Sequence, residues 1–294
     1  MPITNMSHED FAALERTQGA HIREVDGVYW RRVRPFFYRP LFQFQEFSPS
    51  AVRAPAAARL GCYQFAVPNG HAANSHLNLL MFEDAPKYSI ASLDQNRKRQ
   101  VRLGIKALTI REISDPAELK EGGHPAYLSF FERTRYEYKS DRRDKSVFAR
   151  WVDDQFRFPG NIILGAYRGS ELAAVGISQV VGDTLVYSTF FAGDIGLKHC
   201  AADLMLHTVR EQAAALPCVR QIFAGMYKGG NGPDSSLVLR GCKIVRKPAI
   251  LRVNPAAALF LRLCLPGRNA KLLGKFEELS NATEVASARE VVAG

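Results

Sequence analysis

The stretch NIILGAYRGSELAAVGISQVVGDTLVYSTFFAGD, Asn161 to Asp194, holds three apolar, β-prone runs separated by two short turns, Arg168-Gly169-Ser170 and Val181-Gly182-Asp183. Runs of this kind, bounded by Gly and Asp, read as strands joined by hairpins. A helix-period stretch, KHCAADLMLHTVREQAAAL, follows at once, and one more apolar run, VRQIFAG, comes after it. The order is an antiparallel meander, a helical crossover and a further strand. A crossover through one helix makes its two flanking strands parallel. Here those two strands are Thr184–Phe191 and Val219–Gly225.

Outward from this core, PAYLSFFERTRYEYKS carries Tyr127, Leu128, Phe131 and Tyr138 at helical spacing, and VFARWVDDQF turns Phe148, Trp151 and Val152 to the core. Further upstream, GVYWRRVRPFFYRPLFQFQEF is aromatic and strand-like, and CYQFAVP and LNLLMFE read as strands. SLDQNRKRQVRLGIKAL is the most legible helix of the first half. Val101, Ile105 and Leu108 define its buried stripe, and Arg99, Arg102 and Lys106 share the opposite face. Arg97 lies in line with the buried stripe, either snorkelling outward or turned inward to hold a carboxylate or phosphate. LTIREIS is a strand, and Asp115-Pro116 marks a boundary.

Downstream, Gly229-Gly230-Asn231-Gly232-Pro233 predicts a loop. Asp234 or Ser235 then caps a short helix, SLVLR, and KIVRK and AILRV form a final pair of strands. PAAALFLRLCL opens with Pro255 in the first helical turn and is too short to span a bilayer.

The chain has 294 residues, 47% of them apolar and 23% charged, which fits an ordinary soluble globular protein. No apolar run reaches the roughly 20 residues of a membrane span. The N-terminal segment lacks a basic stretch followed by an apolar one, so a cytoplasmic address is the default expectation. Five cysteines stand far apart without a C-x-x-C pair, which predicts reduced, mostly buried thiols and no metal site. The net charge of +10 suggests an anionic partner: a CoA, a tRNA, a phosphorylated lipid carrier or a membrane surface. No H-E-x-x-H, P-loop, G-x-S-x-G or G-x-G-x-x-G motif is present. The basic runs RKRQVR and RTRYEYKSDRRDK are either solvated helix faces or, interleaved with tyrosines, RNA contacts.

The order from residue 116 onward resembles the GNAT acyltransferase fold, and the chain from about residue 27 to 254 resembles its FemAB-type branch, in which two GNAT-like halves are fused. Three stretches carry the likeness: the Arg-rich helix SLDQNRKRQVRLGIKAL, the meander ILGAYRGSELAAVGISQVVGDTLVYSTFF, and IFAGMYKGGNGPDSSLVLRGCKIV with its Gly-rich loop and short helix. Leucyl/arginyl-tRNA–protein transferases have a similar core. The resemblance implies an α/β (α+β) fold of two GNAT-like halves, each a mixed, largely antiparallel sheet flanked by helices. Its divisions would be an arm over 1–26, a degenerate half over 27–114, an acyltransferase half over 115–265 and a polar tail over 266–294.

The resemblance also implies an N-acyl or aminoacyl transfer to an amine on an amino sugar, a cell-wall or polysaccharide precursor, or a protein N-terminus. The co-substrate would be an acyl-CoA or an aminoacyl-tRNA, with no tightly bound cofactor and no metal. Peripheral membrane contact fits the basic charge. The alternatives are a conventional acetyl-CoA-dependent N-acetyltransferase and a catalytically silent module of the same fold. Candidate catalytic residues are Tyr187, on the parting strand, His199 and Tyr227. Lys198, Lys228, Gly196 and Gly229 would hold the donor, and Arg97, Arg99 and Arg102 would draw in its anionic groups. His207 reads as solvated, beside Asp203 and Arg210. Two departures stand out. GDIGLKHCAADL lacks the second glycine of the usual pyrophosphate turn, and Leu239-Arg240-Gly241 replaces the family's F-K-x-x-x-G.

Overall fold

The structure is a computed structural model and describes residues 4–134, 139–229 and 233–274. The chain forms two compact units, one from residues 1–18 and 82–224 and the other from 19–81 and 225–294. Elements are numbered along the chain.

In the first unit, α1 (His8–Thr17) starts where the Ser7 hydroxyl accepts from the Asp10 amide, and it buries Phe11, Ala12 and Leu14. Then come α2 (Gln95–Ala107), β6 (Thr109–Glu112), α3 (Pro116–Thr134) and α4 (Lys145–Arg157). The meander is β7 (Asn161–Arg168), β8 (Glu171–Val181) and β9 (Thr184–Ala192), followed by α5 (Asp194–Lys198), α6 (Ala201–Ala215) and β10 (Gln221–Met226). The strand order is β10-β9-β8-β7-β6, antiparallel except for the β10–β9 pair. The hairpin turns fall at Gly169 and Gly182, both with positive φ, a conformation glycine adopts without strain. The core of this unit gathers Leu119, Tyr127, Phe148, Trp151, Val152, Ile163, Val175, Ile177 and Phe191, with α3 and α4 covering one face of the meander.

Helix α3 begins nine residues before the expected PAYL segment and runs through Gly122, Gly123 and Pro125. Its tolerance of small residues follows from contact: a Cβ on Gly122 would meet Leu172 at 3.0 Å, and one on Gly123 would meet Leu119 at 2.7 Å. Tyr138 lies outside the described residues.

The second unit holds β1 (Ile22–Val25), β2 (Val28–Arg34), β3 (Phe37–Pro40), β4 (Cys62–Ala66), β5 (Ser75–Phe82), α7 (Pro233–Val238), β11 (Lys243–Val253), α8 (Pro255–Cys264) and α9 (Pro266–Leu272). Its order is β1-β2-β3-β4-β11-β5, with only β3–β4 parallel. Trp30, Tyr38, Phe65, Val67 and Ile250 form its core. The expected final pair of strands is a single long strand, β11. It pairs with β5 from Lys243 to Ala249 and with β4 from Ala249 to Val253. Pro248, which has no N–H to donate, sits where the β4 ladder ends, so the proline changes the strand's partners rather than terminating it. Each unit is thus a mixed, largely antiparallel sheet flanked by helices.

The five cysteines are all free, but only Cys62 and Cys242 are buried; Cys218 and Cys264 are exposed and Cys200 lies between. The expectation of mostly buried thiols is corrected accordingly.

Candidate functional site

The parallel strands β9 and β10 are hydrogen-bonded partners for only three residue pairs, Thr184–Gln221, Leu185–Ile222 and Val186–Phe223. The closed end is fastened by two bonds: the Arg220 amide donates to the Asp183 carbonyl at 2.8 Å, and the Gln221 side-chain amide donates to the Thr184 hydroxyl at 2.9 Å. Beyond Val186, β9 continues to Ala192 with β8 as its only partner in this unit. The parting of these two strands that the resemblance to the GNAT fold implies is therefore present.

A β-bulge opens at the same level. Ile177 pairs with Thr189 and Ser178 with Tyr187, leaving Ser188 as the extra residue, and its hydroxyl donates to the Ile177 carbonyl at 3.2 Å. An extra residue re-aims the side chains that follow it. Tyr187 and Phe190, three apart and on opposite faces of a regular strand, accordingly sit with ring centroids 6.5 Å apart. Ser188 is exposed and Tyr187 half-buried. Sequence reasoning missed the bulge. Its one signal is the polar Tyr187-Ser188-Thr189 interruption of an otherwise apolar strand.

The exit from β9 is held by α3. Arg133 donates to the Asp194 carboxylate and to the Ala192 carbonyl, each at 3.0 Å, and the Asp194 amide donates to the Ser129 hydroxyl at 3.1 Å. Gly196 is buried, and a Cβ there would stand 2.5 Å from the Ala173 carbonyl oxygen. The structure gives this glycine a packing role against β8.

Helix α6 starts after Cys200, whose φ of 59° is left-handed and whose side chain does not cap the helix. Three contacts bring α2 close beside this start. The Cys200 thiol donates to the Gln100 side chain at 2.7 Å, Arg97 donates to the Asp203 carboxylate at 2.9 Å, and a Cβ on Gly104 would meet Leu204 at 2.8 Å. Asp203, in the first turn of α6, is buried. Its negative charge is favoured by the helix N-terminus and matched by Arg97. The ion pair thus sits in the first turn of α6.

Further along α6, His207 is buried, not solvated as expected. The segment Ala85–Tyr88 covers it, with the Tyr88 hydroxyl 2.9 Å from Nδ1 and Glu211 3.3 Å from Nε2. Arg210 lies over the Tyr88 ring at 3.8 Å and the Phe82 ring at 4.4 Å. Burial pushes the His207 pKa below its ordinary value, Glu211 opposing and Arg210 adding to the shift. Burial also pushes the Tyr88 hydroxyl up to about 12, with Arg210 opposing and Glu211 adding.

The sequence-derived candidates fall into three groups. Arg97, Gly196, Lys198 and His199 gather at the α5–α6 junction and its α2 flank. Lys198 is exposed; His199 is half-buried, and its Nε2 is buried without a hydrogen-bond partner. Arg99 and Arg102 are exposed on the outward face of α2. That helix buries Val101, Gly104 and Leu108, while Ile105 is 55% exposed; the buried stripe passes through the glycine because α6 approaches so closely there. Tyr227, Lys228 and Gly229 belong to the second unit. Tyr227 is buried with its amide on the Asn78 carbonyl at 2.9 Å, and Gly229 has positive φ. The Lys228 amide donates to Asp234 at 2.7 Å, so this carboxylate fastens the loop rather than capping α7. Among the described residues, no group of His, Cys, Asp and Glu has the arrangement of a metal site.

No family model matches the sequence, and no curated protein matches it either. Solved structures do. FemX matches with a TM-score of 0.54 at 9% identity, over 87% of this chain and 93% of that one. The L-PGS of Bacillus licheniformis matches with 0.54 at 10% identity, over 92% and 97%. The C-terminal DUF2156 domain described as that of a lysylphosphatidylglycerol synthetase from Agrobacterium fabrum matches with 0.53 at 11% identity, over 91% and 93%. At such identities the likeness speaks for the fold. With the strands parting where they do, the chain has the GNAT-like fold, and FemAB-like proteins are its structural relatives.

Proposed function

We propose that the protein is an acyltransferase that uses the parted β9–β10 edge to hold an activated aminoacyl group and transfers it to a nucleophilic acceptor, an amine in the first instance. The observation that carries this reading is the parting itself, three residue pairs between β9 and β10 and then a length of β9 paired to β8 with a bulge at Ser188. An activated ester needs little covalent help. The site has to orient the acceptor, polarise the carbonyl and take up a proton. The β9 backbone past its last pair with β10 would face the carbonyl, and the Tyr187 hydroxyl, at the mouth of the parting, suits the leaving oxygen. The new N–C bond forms as the acyl C–O bond breaks; the amine's proton leaves to water and the leaving oxygen is protonated.

Aminoacyl-tRNA is favoured over acyl-CoA as the donor by the α6 start. Gly196 is filled against Ala173, Cys200 supplies no cap, and the first-turn Asp203 is already paired with Arg97. A CoA diphosphate would meet a carboxylate where a helix N-terminus usually offers free amides. Lys198, Arg99 and Arg102 would then meet the RNA by charge, with His199 beside them. One structural relative carries a name for lysylphosphatidylglycerol synthesis, so a glycerophospholipid joins the amines as an acceptor to be tried.

The test is turnover of bulk radiolabelled aminoacyl-tRNA in the presence of candidate acceptors. The reading requires acceptor-dependent loss of the ester label that falls at least tenfold in Tyr187→Phe. Transfer of acetyl from acetyl-CoA, with no use of aminoacyl-tRNA, would overturn it.

A further inference from the structure

Helix α8 is amphipathic with its apolar side outward. Ala256, Leu259, Phe260 and Leu263, at the i, i+3, i+4, i+7 spacing of one helix face, are all exposed, while Ala257, Ala258 and Leu261 turn toward the body of the unit. Leu263 at 73%, Leu60 at 67% and Leu259 at 60% are the most exposed large apolar side chains among the described residues, and Phe260 follows at 56%. Leu60 belongs to the same place. The Asn254 side chain, which caps α8, donates to the Arg59 carbonyl at 3.0 Å, and the Asn254 amide donates to the Gly61 carbonyl at 2.7 Å. Exposed Phe36 adjoins in turn, its carbonyl accepting from the Cys62 amide at 2.9 Å.

The helix is not a loose end. Asn254 fixes its start, and α9 fixes the segment that follows. Gln64 donates to the Leu272 carbonyl at 2.9 Å, the His76 amide donates to the Leu273 carbonyl at 3.3 Å, and Leu272 and Leu273 pack on Phe37, Cys62 and Leu251. A sequence-encoded face is therefore held in place with nothing apolar against it among the described residues. Such patches mark contact surfaces.

Charge identifies the partner. Arg59, Arg262, Arg268 and Lys271 surround the patch and are exposed, and none has an ion pair among the described residues. The second unit, residues 19–81 and 225–294, carries 18 Lys and Arg against 8 Asp and Glu, the whole of the chain's net +10. A helix with a Leu/Phe face flanked by Arg and Lys matches the interface of an anionic bilayer, which takes the apolar side chains into its acyl boundary and the cations at its headgroups. RNA would match the charge but offers no hydrocarbon for Leu259 and Leu263. No helix of the described residues is long and apolar enough to cross a membrane.

We infer that α8, with Phe36, Leu60 and the surrounding cations, docks the second unit on an anionic lipid surface. This docking is independent of the donor, since binding is read without turnover. The experiment is flotation of the full chain with vesicles of phosphatidylcholine alone and of phosphatidylcholine mixed with phosphatidylglycerol. The chain is expected to float with the anionic vesicles at least tenfold better than with the neutral ones. The pair L259S/L263S, and separately R268E/K271E, should each lose at least tenfold while melting at the unmodified temperature. An unmodified chain that stays down with both vesicles, or an L259S/L263S chain that floats undiminished, would overturn the proposal. So would finding that L259S/L263S splits a dimer in light scattering, or weakens tRNA retention, with flotation unchanged.

Discussion

The two units handle charge in opposite ways. Residues 1–18 and 82–224 hold 21 basic and 21 acidic side chains, while the other unit carries the entire +10. In the first unit arginines end on carboxylates: Arg97 on Asp203, Arg111 on Glu118, Arg133 on Asp194. In the second, Arg39 ends on an amide, donating to the Gln64 side-chain oxygen at 3.0 and 2.6 Å, and burial pushes its pKa down to about 10, Cys62 opposing. Charges in the first unit fix helices around the parted strands. In the second, Arg53 meets Asp26 and Lys247 meets Glu46, but 18 basic side chains stand against 8 acidic ones, so a surplus of positive charge remains. The difference separates a unit built to hold geometry from one built to present a surface.

The comparison breaks first at Arg97. If that guanidinium serves structure, Arg97→Ala takes the arginine from buried Asp203, at a cost of about 3 kcal/mol in urea unfolding; adding Asp203→Asn should recover most of it. A neutral Arg97→Ala would instead free this arginine for ligand binding. The next effect is pH-dependent. His207 is held neutral in the fold because its pKa is lowered. Between the unfolded value of about 6.5 and the lower folded one the unfolded chain binds the extra proton, so stability is full above about pH 6.5 and falls as the pH drops through that window. The slope can reach no more than about 1.4 kcal/mol per pH unit for one group, and it should flatten in His207→Gln; an unchanged slope would place the proton elsewhere. The smallest effect belongs to the second unit. Leu263→Ser should move stability by less than about 0.5 kcal/mol, because the side chain touches little, and a loss of several kcal/mol would mean that the face is covered.

Much of this contrast was legible in the sequence. Hairpin turns at Gly169 and Gly182, the crossover helix and the further strand all follow from apolar runs and their punctuation, and the resemblance that this order carries placed the parting. The bulge at Ser188 was not legible, because the polar Tyr187-Ser188-Thr189 run interrupts the strand without marking which residue is the extra one. His207 was misread for a related reason. Its helix face is polar, but Ala85–Tyr88, a segment without helical period, folds over it. Ile105 failed because a glycine, not the next aliphatic residue, marks where two helices come closest. Lys228 and Tyr227 could be named from sequence as ending the strand after the crossover, yet their unit follows from sheet pairing that no local pattern records. The basic surplus was plain from composition, but its confinement to one unit becomes visible only once the chain is folded.

The account rests on the parted strands receiving an aminoacyl donor rather than a CoA thioester. Thermal stability of the full chain with bulk aminoacyl-tRNA, deacylated tRNA, acetyl-CoA and free CoA tests this most directly. Stabilisation by aminoacyl-tRNA beyond that given by deacylated tRNA, with no response to either CoA species, is the predicted result. Stabilisation by acetyl-CoA that is lost in Lys198→Ala, with aminoacyl-tRNA no better than deacylated tRNA, would contradict it.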